Sequence, residues 1–590
     1  MKRNAYCGCI NENDINKKHV TVCGWVHSHR DHGGIIFIDL RDKSGLLQIV
    51  FRLNNKNLKL FKMAKDLKDE YVICVKGLVQ KRSEDTINLN MFTGKVELIA
   101  EDLKIFNKCA KLPFEISIQS EISEELRLKY RYLDLRRPSF QKNFIIRHKI
   151  ANEVRNFLNE EGFLDIDTPL LTKSTPEGAR DFLVPSRLHH GSFFALPQSP
   201  QLFKQILMIS GFDKYYQFAK CFRDEDLRTD RQLEFTQIDI EMSFVEEDEI
   251  MNITERMLSR IFKVILNLDI IIPFKRISYD DAILLYGSDK PDTRFGMEIK
   301  DFSQEFKNSN FRIFSSVISN GGIVRGLCVP EENNYFSRSK IEDLTKFVCS
   351  CGAKGLLHMR ISNFGIESNV IKKYLKKEEL NIIKSKFNAK PGDLIIFIMD
   401  KDKEIVIEVL AKLRLRIGKE LKFIDKNKYS FLWVVDSPLV KWDTGEQKWK
   451  ALHHPFTSPK NDNIFNNANI STMKSRAYDI ILNGIELGGG SIRIHETDIQ
   501  KKIFEILNIS DKIVKEKFGF LLDALNYGAP PHGGIALGFD RICSLIVGER
   551  SIREVIAFPK TQKTLDLLSG APSIIEDEQL KDLGLHVAKK

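Results

Sequence analysis

The segment Cys221-Phe-Arg-Asp-Glu-Asp-Leu-Arg-Thr-Asp-Arg-Gln-Leu-Glu-Phe-Thr-Gln-Ile-Asp239 places a charged loop between two strand-forming runs. The runs Tyr215–Phe222 and Glu234–Phe244 predict two long strands. The loop Arg223–Arg231 joins them, so we expect an antiparallel hairpin with arginines at its tip. Guanidinium groups fixed on strands suit bidentate binding of phosphate and carboxylate oxygens. By composition alone, a solvated, salt-bridged hairpin is the more common meaning of such a segment.

Two further segments accompany the hairpin. The pattern F-R-D-E followed by R-x-x-E-F, within residues 222–235, resembles motif 2 of the class II aminoacyl-tRNA synthetases. Gly534-Ile-Ala-Leu-Gly-Phe-Asp-Arg541 resembles motif 3, and Gly162-Phe-Leu-Asp-Ile-Asp-Thr-Pro169 resembles motif 1 after a helix predicted at Phe144–Glu160. Each motif alone is weak, but all three occur in order. The resemblance implies a catalytic domain built on an antiparallel sheet.

Residues 20–105 alternate apolar and polar positions in short runs separated by turn residues. Five such runs and a helix predicted at Leu58–Leu67 indicate an OB-fold β-barrel, which binds single-stranded nucleic acid in its groove. Residues 1–110 hold 19 Lys and Arg against 13 Asp and Glu, within a chain of net charge +10, and this excess suits an anionic partner. The predicted strands are Val20–Val26, Ile35–Leu40, Leu46–Phe51, Tyr71–Val79 and Lys95–Ala100.

Four other segments narrow the resemblance to the bacterial-type aspartyl-tRNA synthetases. They are Gln198-Ser-Pro-Gln-Leu-Phe-Lys204, Thr175-Pro-Glu-Gly-Ala-Arg-Asp181, His453-His-Pro-Phe456 and Glu486-Leu-Gly-Gly-Gly-Ser-Ile-Arg493. A long α+β insert opens near Lys290-Pro-Asp-Thr-Arg-Phe-Gly296 and resembles the GAD-like insert of the bacterial form. The resemblance runs from the barrel to about Lys560.

A multidomain α+β protein is therefore expected. The resemblance divides it into an OB-fold anticodon-binding domain at 1–108, a hinge at 109–140, a first catalytic part with motifs 1 and 2 at 141–286, the inserted domain at 287–420, a second catalytic part with motif 3 at 421–560, and a C-terminal extension at 561–590.

The family resemblance implies that the protein activates L-aspartate with ATP, releases pyrophosphate and transfers aspartate to tRNA(Asp). Arg223, Glu225 and Arg541 are the expected catalytic residues, with Arg223 on the α-phosphate and the substrate α-carboxylate. Holding both reacting groups acts by proximity and charge neutralisation, without a protein nucleophile. Adenine is expected between Phe235 and Arg541. The expected ATP-binding residues are Arg223, Asp224, Glu225, Gln232, Phe235, Glu486, Gly538, Phe539, Asp540 and Arg541.

The resemblance also implies a pocket for aspartate. Lys204 and Arg493 are expected to bind the side-chain carboxylate, whereas asparagine would leave both cations unpaired at a cost of about 2–5 kcal/mol. Without the resemblance, packing or metal binding would be the preferred interpretation of the two adjacent histidines. The expected aspartate-binding residues are Glu177, Ser199, Gln201, Lys204, Arg223, Asp239, His453, His454 and Arg493.

Metal and anticodon residues follow from the same resemblance. Asp479 and Glu486 match the carboxylates that hold Mg²⁺ on the phosphates, a usual way of binding this ion. In the barrel, Arg30, Phe37 and Gln48 match positions that read the anticodon. Phe37 stacking on a base would contribute about 1–3 kcal/mol, and core packing is its alternative role.

Two positions bear on tRNA choice, and they disagree. His32 occurs in relaxed members of the family, which also load aspartate onto tRNA(Asn). Asp85 stands where a relaxed member would carry glycine. The balance slightly favours a strict enzyme, with tRNA(Asn) left open as a second acceptor.

Other functions share parts of this pattern. An asparaginyl- or lysyl-tRNA synthetase would have the barrel and all three motifs, but not the insert or Gln201-Leu-Phe-Lys204. A catalytically inactive RNA-binding paralogue would be expected to lack Arg223 or Arg541, and both are present. A small amino-acid ligase of the asparagine-synthetase kind would leave the barrel unexplained.

The remaining expectations concern assembly and location. Motif 1 in the family forms a dimer interface, so we expect a homodimer. The first residues lack the apolar core of a secretory signal, and no run approaches the roughly 20 apolar residues of a membrane span. The ten cysteines lack paired C-x-x-C spacing. We therefore expect a cytoplasmic protein with free thiols and no membrane partner.

Overall fold

The computed structural model describes residues 2–15, 19–55, 57–116, 122–175, 178–227, 230–330, 335–363, 365–367, 371–460 and 469–588. They divide into two compact units, residues 1–144 with 566–570, and residues 145–565 with 571–590. In the described part of the chain, no helix combines the length and apolar character needed to cross a membrane.

The first unit holds a closed five-stranded barrel with strand order β1-β2-β3-β5-β4. Its interior is filled by aliphatic side chains from alternate positions, such as Ile36, Ile38 and Leu40. The predicted OB-fold barrel is confirmed, including the helix between the third and fourth strands. The elements are β1 (Val20–Asp31), β2 (Ile35–Asp42), β3 (Gly45–Arg52), α1 (Leu58–Lys65), β4 (Val72–Lys81), β5 (Val96–Asn107), α2 (Glu124–Lys129) and α3 (Arg131–Asp134).

Strand β1 is longer than predicted because β2 pairs with its polar end. Alternation of apolar residues stops near Val26, yet Arg30 still lies opposite Phe37 in the ladder. Backbone pairing sustains a strand whose outer face is polar, and this continuation forms part of the expected anticodon surface.

Helix α4 (Pro138–Glu160) begins in the first unit and continues into the second. The next elements of the second unit are β6 (Leu164–Asp165), β7 (Leu183–Pro185), β8 (Phe193–Ala195), α5 (Gln201–Ile209), β9 (Lys214–Phe222), β10 (Glu234–Ser243), α6 (Glu247–Leu266), β11 (Lys275–Ser278) and α7 (Tyr279–Tyr286). Strands β9 and β10 form the predicted antiparallel hairpin, with Phe235 opposite Cys221. Helix α4 starts earlier than predicted because proline fits the first turn of a helix, where no N–H bond is needed.

An insert follows with a sheet of its own, in the order β12-β13-β16-β14-β15. Two clusters of buried apolar side chains pack against this sheet. Its elements are β12 (Lys300–Asp301), α8 (Arg312–Ser319), β13 (Ile323–Val329), α9 (Arg338–Ser350), β14 (Leu357–Ser362), β15 (Gly365–Glu367), α10 (Ile371–Tyr374), α11 (Lys377–Phe387), β16 (Leu394–Asp400) and α12 (Lys403–Glu420). The domain boundaries themselves stay predictions.

The chain then returns to the catalytic sheet, whose complete order is β11-β17-β20-β21-β22-β10-β9-β6. The closing elements are β17 (Phe431–Val435), β18 (Val440–Asp443), β19 (Lys448–Ala451), β20 (Ala477–Leu482), β21 (Ile485–Ile492), α13 (Thr497–Ile506), α14 (Asp511–Leu525), β22 (His532–Gly538), α15 (Phe539–Val547) and α16 (Asp577–Asp582).

The two faces of this sheet differ in chemistry. Ile238 and Ile240 of β10 belong to a core that includes apolar residues of α4, α6 and α15. Because side chains alternate along a strand, Asp239 and Glu241 lie on the opposite face. That polar face carries the candidate site.

One predicted element is wrong. The sequence pattern of Ile480–Leu487, before three glycines, predicts one strand, but the structure has two strands, β20 and β21, joined by Asn483-Gly484. Both turn residues have positive φ, 56° and 81°, as a tight hairpin turn requires. The Asn-Gly signal was present in the sequence and was overlooked. The hairpin brings Asp479 and Glu486 to neighbouring strands.

Candidate active site

Two cations and two carboxylates form a buried network on the polar face. Nζ of Lys204, on α5, lies 2.8 Å from Oδ1 of Asp239 and 3.3 Å from Oε2 of Glu241. Arg493, directly after β21, donates to Glu241 through Nε at 2.8 Å and Nη2 at 3.1 Å. All four side chains are at most 2% exposed. Three of them were predicted for the aspartate pocket, and the structure brings these three together.

Glu241 is the member that the sequence interpretation missed. Burial raises the pKa of Glu241, but the charges of Arg493 and Lys204 outweigh it and hold the pKa at about 2. Glu241 lies two residues after Asp239 and therefore on the same face of β10. That spacing was a usable signal for a second pocket carboxylate.

Gly534 explains how Glu241 fits between the strands. A Cβ at position 534 would lie 2.1 Å from Oε2 of Glu241, far inside van der Waals contact. Gly534 is the neighbour of Glu241 in the pairing of β10 with β22. The first glycine of the motif 3 segment thus makes room for a carboxylate that fixes Arg493.

Asp239 keeps one oxygen uncompensated. Oδ1 accepts from Lys204, while buried Oδ2 has no hydrogen-bond partner among the described residues. Nε2 of Gln201 is likewise buried and unpartnered within the described part of the chain. Leaving buried polar atoms unsatisfied is costly, and such atoms commonly await a ligand. Oδ2 is suited to accept from an ammonium group.

The two predicted histidines have separate environments. Nε2 of His454 accepts from Nη1 of Arg493 at 2.7 Å, since a guanidinium can only donate. Desolvation, followed by the charge of Arg493, holds the pKa of His454 well below its ordinary value, so the ring is neutral. His453 contacts Oγ of Ser437 at 2.9 Å, and desolvation lowers its pKa as well. His454 therefore contacts the aspartate pocket directly.

The side chain of Gln198 binds the segment Ala179–Asp181. The side chain of Gln198 donates to the carbonyl of Ala179 at 2.9 Å and to Asp181 at 2.5 Å, and accepts from the N–H of Ala179 at 3.0 Å. Ser199 follows directly and accepts from the N–H of Gln201 at 3.3 Å. Glu177 lies outside the described residues.

At the motif 2 hairpin, two predicted residues are in contact, and two others bind residues that were not predicted. The guanidinium carbon of Arg223 lies 5.1 Å from the ring centroid of Phe235. Glu225 is paired with Arg231 at 2.6 Å, and Asp224 is exposed with its N–H bound to the carbonyl of Arg180. Arg223 therefore rests against the aromatic ring on which adenine was expected. It must turn aside if the base takes that face.

Three of the predicted ATP ligands are engaged elsewhere in the fold. Both ends of the Gln232 amide bind the backbone of Lys560. Phe539 packs in the core, 5.0 Å from Phe218 and edge-on to it. Asp540 accepts from the N–H of Thr236 at 2.7 Å. We expect these side chains to support the site, and their contact with ATP stays a prediction.

Arg541 lies in the first turn of helix α15, which directly follows strand β22. Gly538 is the N-cap of this helix. Nη1 of Arg541 donates to the carbonyl of Glu486, and Nη2 lies 3.6 Å from Asp230. Nε is buried without a partner among the described residues. The guanidinium thus lies beside the segment that holds the predicted metal ligand Glu486.

Asp479 and Glu486 face the same cleft. Desolvation and the charge of Glu486 raise the pKa of Asp479 well above its ordinary value, as expected when two carboxyls lie close together. A Cβ on Gly489 would lie 2.2 Å from Oδ1 of Asp479, so this glycine makes room for the carboxylate. Glu486 is bound by Lys290 at 2.7 Å, a contact that the sequence did not predict.

This pair fits a magnesium ion shared with phosphates. No group of three or more His, Cys, Asp or Glu able to hold a metal occurs in the described ranges. Mg²⁺ is commonly bound by one or two carboxylates, with phosphate and water completing its shell. Two neighbouring oxygen donors suit that arrangement better than a site made of protein ligands alone.

The predicted anticodon residues share one surface of the barrel in the first unit. Arg30 donates to both carboxylate oxygens of Asp39 at 3.1 Å and to Gln48 at 3.4 Å. Phe37 is part-exposed and lies edge-on to His32, with ring centroids 5.6 Å apart. Phe37 is absent from the apolar cluster of the described barrel, which argues against core packing.

Comparisons with known proteins agree with this architecture. A family model described as tRNA synthetases class II (D, K and N) matches residues 123–562. A model described as an OB-fold nucleic acid binding domain matches residues 20–106. The first match spans the catalytic sheet together with its insert, and the second spans the barrel strands.

Full-length relatives are similar as well. The chain is 64% identical over 586 residues to Aspartate--tRNA(Asp/Asn) ligase of Endomicrobium trichonymphae, covering 99% of each chain. It is 53% identical to the protein of the same name from Hydrogenobaculum sp. (strain Y04AAS1), covering 100% of each. A solved asparaginyl-tRNA synthetase from Pyrococcus horikoshii shares the fold, with a TM-score of 0.60 at 20% identity, over 96% of this chain and 100% of that one.

Proposed function

Because this chain belongs to the class II tRNA synthetases of the D, K and N group, we propose that it is an aspartate–tRNA ligase. It converts L-aspartate and ATP to aspartyl-adenylate and pyrophosphate, then passes the aspartyl group to the 3′ end of tRNA. Relatives at 50–64% identity, aligned over nearly their full length, carry the name Aspartate--tRNA(Asp/Asn) ligase. The site supports the same conclusion independently.

The unpaired, buried Oδ2 of Asp239, whose other oxygen binds the buried Lys204, is the observation that carries this proposal. Free aspartate has one ammonium group and two carboxylates. Oδ2 can accept a hydrogen bond from the ammonium group, and the cations Lys204 and Arg493 can pair with a substrate carboxylate. A pocket with this alternation of charge matches an acidic amino acid.

Selection against asparagine follows from the same charges. Nη1 of Arg493 donates to neutral His454, and a substrate carboxylate is a stronger acceptor than this ring nitrogen. An uncharged amide could replace neither the charge nor the bidentate geometry. Leaving a buried cation partly unpaired costs about 2–5 kcal/mol, enough to discriminate the two amino acids strongly.

Activation requires orientation more than acid–base chemistry. Arg223 neutralises the substrate α-carboxylate and the α-phosphate, so the two anions can approach for attack on phosphorus. Arg541 adds a second positive charge beside the nucleotide. Asp479 and Glu486 would hold Mg²⁺, which would supply positive charge to neutralise the triphosphate. In the second half-reaction the tRNA hydroxyl attacks the aspartyl carbonyl and AMP leaves.

The tRNA is bound through the barrel, by Arg30, Phe37 and Gln48. The relatives' names include both tRNA(Asp) and tRNA(Asn), and His32 beside Phe37 is the residue associated with relaxed members. These observations outweigh the indication from Asp85. We therefore propose that this enzyme aspartylates both tRNAs, revising the slight preference for a strict enzyme.

A homodimer is part of the proposal. The motif 1 segment and the two residues that follow it expose apolar side chains, namely Leu164 at 52%, Leu170 at 47% and Leu171 at 52%. A row of exposed leucines in a segment that forms dimer interfaces in the family supports self-association. Use of ATP and tRNA as substrates supports the expected cytoplasmic location.

The deciding experiment is ATP–pyrophosphate exchange with aspartate, asparagine or lysine, using wild-type protein and Arg223→Ala. Exchange with aspartate alone, lost in the variant, is expected. Preference for asparagine or lysine would reassign the amino acid. No exchange by folded wild-type protein with Mg²⁺ present would instead favour the inactive RNA-binding paralogue. Charging of tRNA(Asp) and tRNA(Asn) transcripts then tests the acceptor range.

A further inference from the structure

A short strap, residues 288–297, leads from α7 into the inserted domain and is fixed to α12 by one arginine. Arg414 is 1% exposed and binds carbonyl oxygens. Its Nη1 donates to Asp292 at 3.0 Å, Nη2 to Phe295 at 2.9 Å, and Nε to Met297 at 3.0 Å. These bonds to three backbone carbonyls of the strap fix it to α12 of the insert.

The other side of the strap rests on the β20–β21 hairpin. Oγ1 of Thr293 lies 2.8 Å from Oγ of Ser430, whose N–H donates to Oδ1 of Asn483 at 2.8 Å. A Cβ on Gly484 would lie only 3.1 Å from Cβ of Asp292, so the turn and the strap are closely packed. The hairpin that carries Asp479 and Glu486 therefore packs directly against the strap.

Lys290 projects from this strap to the metal carboxylates. Its Nζ lies 2.7 Å from Oε2 of Glu486, in a pair whose side chains are 42% and 32% exposed. Asp479, Asp289 and His453 also lie close enough to interact with this pair, and Arg541 interacts with Glu486. The Lys290 ammonium thus partly neutralises the negative charge of these carboxylates. Because the pair is part-exposed, ions from solvent can replace the ammonium.

We infer that Lys290 is a positioning residue: it is the internal counter-ion that holds Glu486 beside Asp479 before nucleotide arrives, and the divalent cation must displace it. The inference rests on the proposed function, because it takes these two carboxylates as the metal ligands. Through Lys290 the inserted domain contributes to the ATP site, and it sets the cation concentration at which that site fills.

Lysine has the properties that such a counter-ion needs. Its ammonium is a compact single charge on a flexible stem, so a doubly charged ion can outcompete it without movement of the backbone. The strap keeps the displaced group tethered near the site. An arginine there would bind a carboxylate bidentately and resist displacement.

Mn²⁺ binding tests the inference without using catalysis. Free Mn²⁺ is measured by electron paramagnetic resonance in titrations of the full-length protein, with and without a non-hydrolysable ATP analogue. Lys290→Met is compared with Lys290→Arg, Glu486→Gln and the control Lys412→Met. Lys412 pairs with Glu408 at 2.6 Å on α12 and is 48% exposed, so its loss removes a similar charge outside the cleft.

We expect Lys290→Met to bind Mn²⁺ about 30-fold more tightly, the effect of removing one unit charge about 4 Å from a doubly charged ion in water. Lys290→Arg should bind Mn²⁺ as weakly as wild type or more weakly, and Lys412→Met should match wild type. Unchanged or weaker binding by Lys290→Met, while Glu486→Gln abolishes it, would overturn the inference and leave the metal site standing. Mn²⁺ binding insensitive to Glu486→Gln would overturn the metal assignment itself.

Discussion

Arg493 and Glu241 form a bidentate ion pair in the interior of the catalytic sheet, with donor–acceptor distances of 2.8 and 3.1 Å. The two residues are 252 positions apart in sequence. The pair fixes the orientation of a guanidinium expected to receive the substrate side chain. Lys204 also contacts the carboxylate of Glu241, so this one glutamate orients both cations of the pocket.

Glu241→Gln should therefore weaken the fold as well as aspartate binding. Removing one partner of a buried pair leaves an uncompensated cation, and we expect a loss of about 3 kcal/mol in the free energy of unfolding of the second unit. Urea unfolding followed by tryptophan fluorescence measures this, since Trp433 is buried in that unit. Glu160→Gln, which breaks an exposed pair with Arg260, is the control and should change little.

The pH dependence of stability provides a second readout of the same pair. The pKa of Glu241 is depressed from 4.5 to about 2, so its stabilisation is complete above pH 4.5 and is lost as the pH falls towards 2. The contribution lost is about 3 kcal/mol. The midpoint temperature of thermal unfolding should therefore fall more steeply over this pH window for wild type than for Glu241→Gln. Parallel curves would contradict the role given to Glu241.

Asp239→Asn should affect aspartate and leave ATP almost unaffected. The variant cannot offer a charged acceptor to the substrate ammonium, so kcat/KM for aspartate should fall by about 30-fold or more in pyrophosphate exchange. The KM for ATP serves as an internal control in the same assay. An equal fall in kcat/KM for aspartate and for ATP would indicate general damage to the sheet.

Substitutions at two glycines should affect the use of ATP and the use of aspartate separately. A Cβ in Gly489→Ala would displace Asp479, and one in Gly534→Ala would displace Glu241. We expect the first to weaken ATP use and the second to weaken aspartate use, each on the order of 100-fold, as displacements of about 1 Å commonly do. Gly519→Ala, where the nearest atom is a flexible lysine carbon at 3.9 Å, is the control. Identical effects of the two substitutions would refute this division.

Phe37→Leu should impair tRNA charging without changing amino-acid activation. Loss of base stacking is worth about 1–3 kcal/mol, so KM for tRNA should rise by about 5- to 150-fold. Pyrophosphate exchange without tRNA should match wild type. Phe106→Leu removes another exposed aromatic side chain of the barrel, on β5, and should leave charging intact. An equal effect of both substitutions would argue against base recognition by Phe37.

The sequence by itself determined the parts of this protein that depend on neighbouring residues. Alternating apolar positions predicted the barrel and the β9–β10 hairpin, because strand periodicity is a local property. The family resemblance, carried by short local motifs, likewise implied Lys204, Asp239 and Arg493 as pocket residues. The Asn483-Gly484 turn was equally local, and its omission was an error of interpretation.

Only the tertiary structure decided which of these residues meet and which support the fold. Gln232 binds the backbone of Lys560, 328 positions away, and Asp540 accepts from the N–H of Thr236, 304 positions away. Lys290 reaches Glu486 from a strap that Arg414, more than 100 positions away, binds through its backbone carbonyls. Such contacts depend on how distant strands are ordered in the sheet, and no local pattern encodes that order. The sequence therefore supplied the chemistry of the site, and the packing of the sheet assigned its partners.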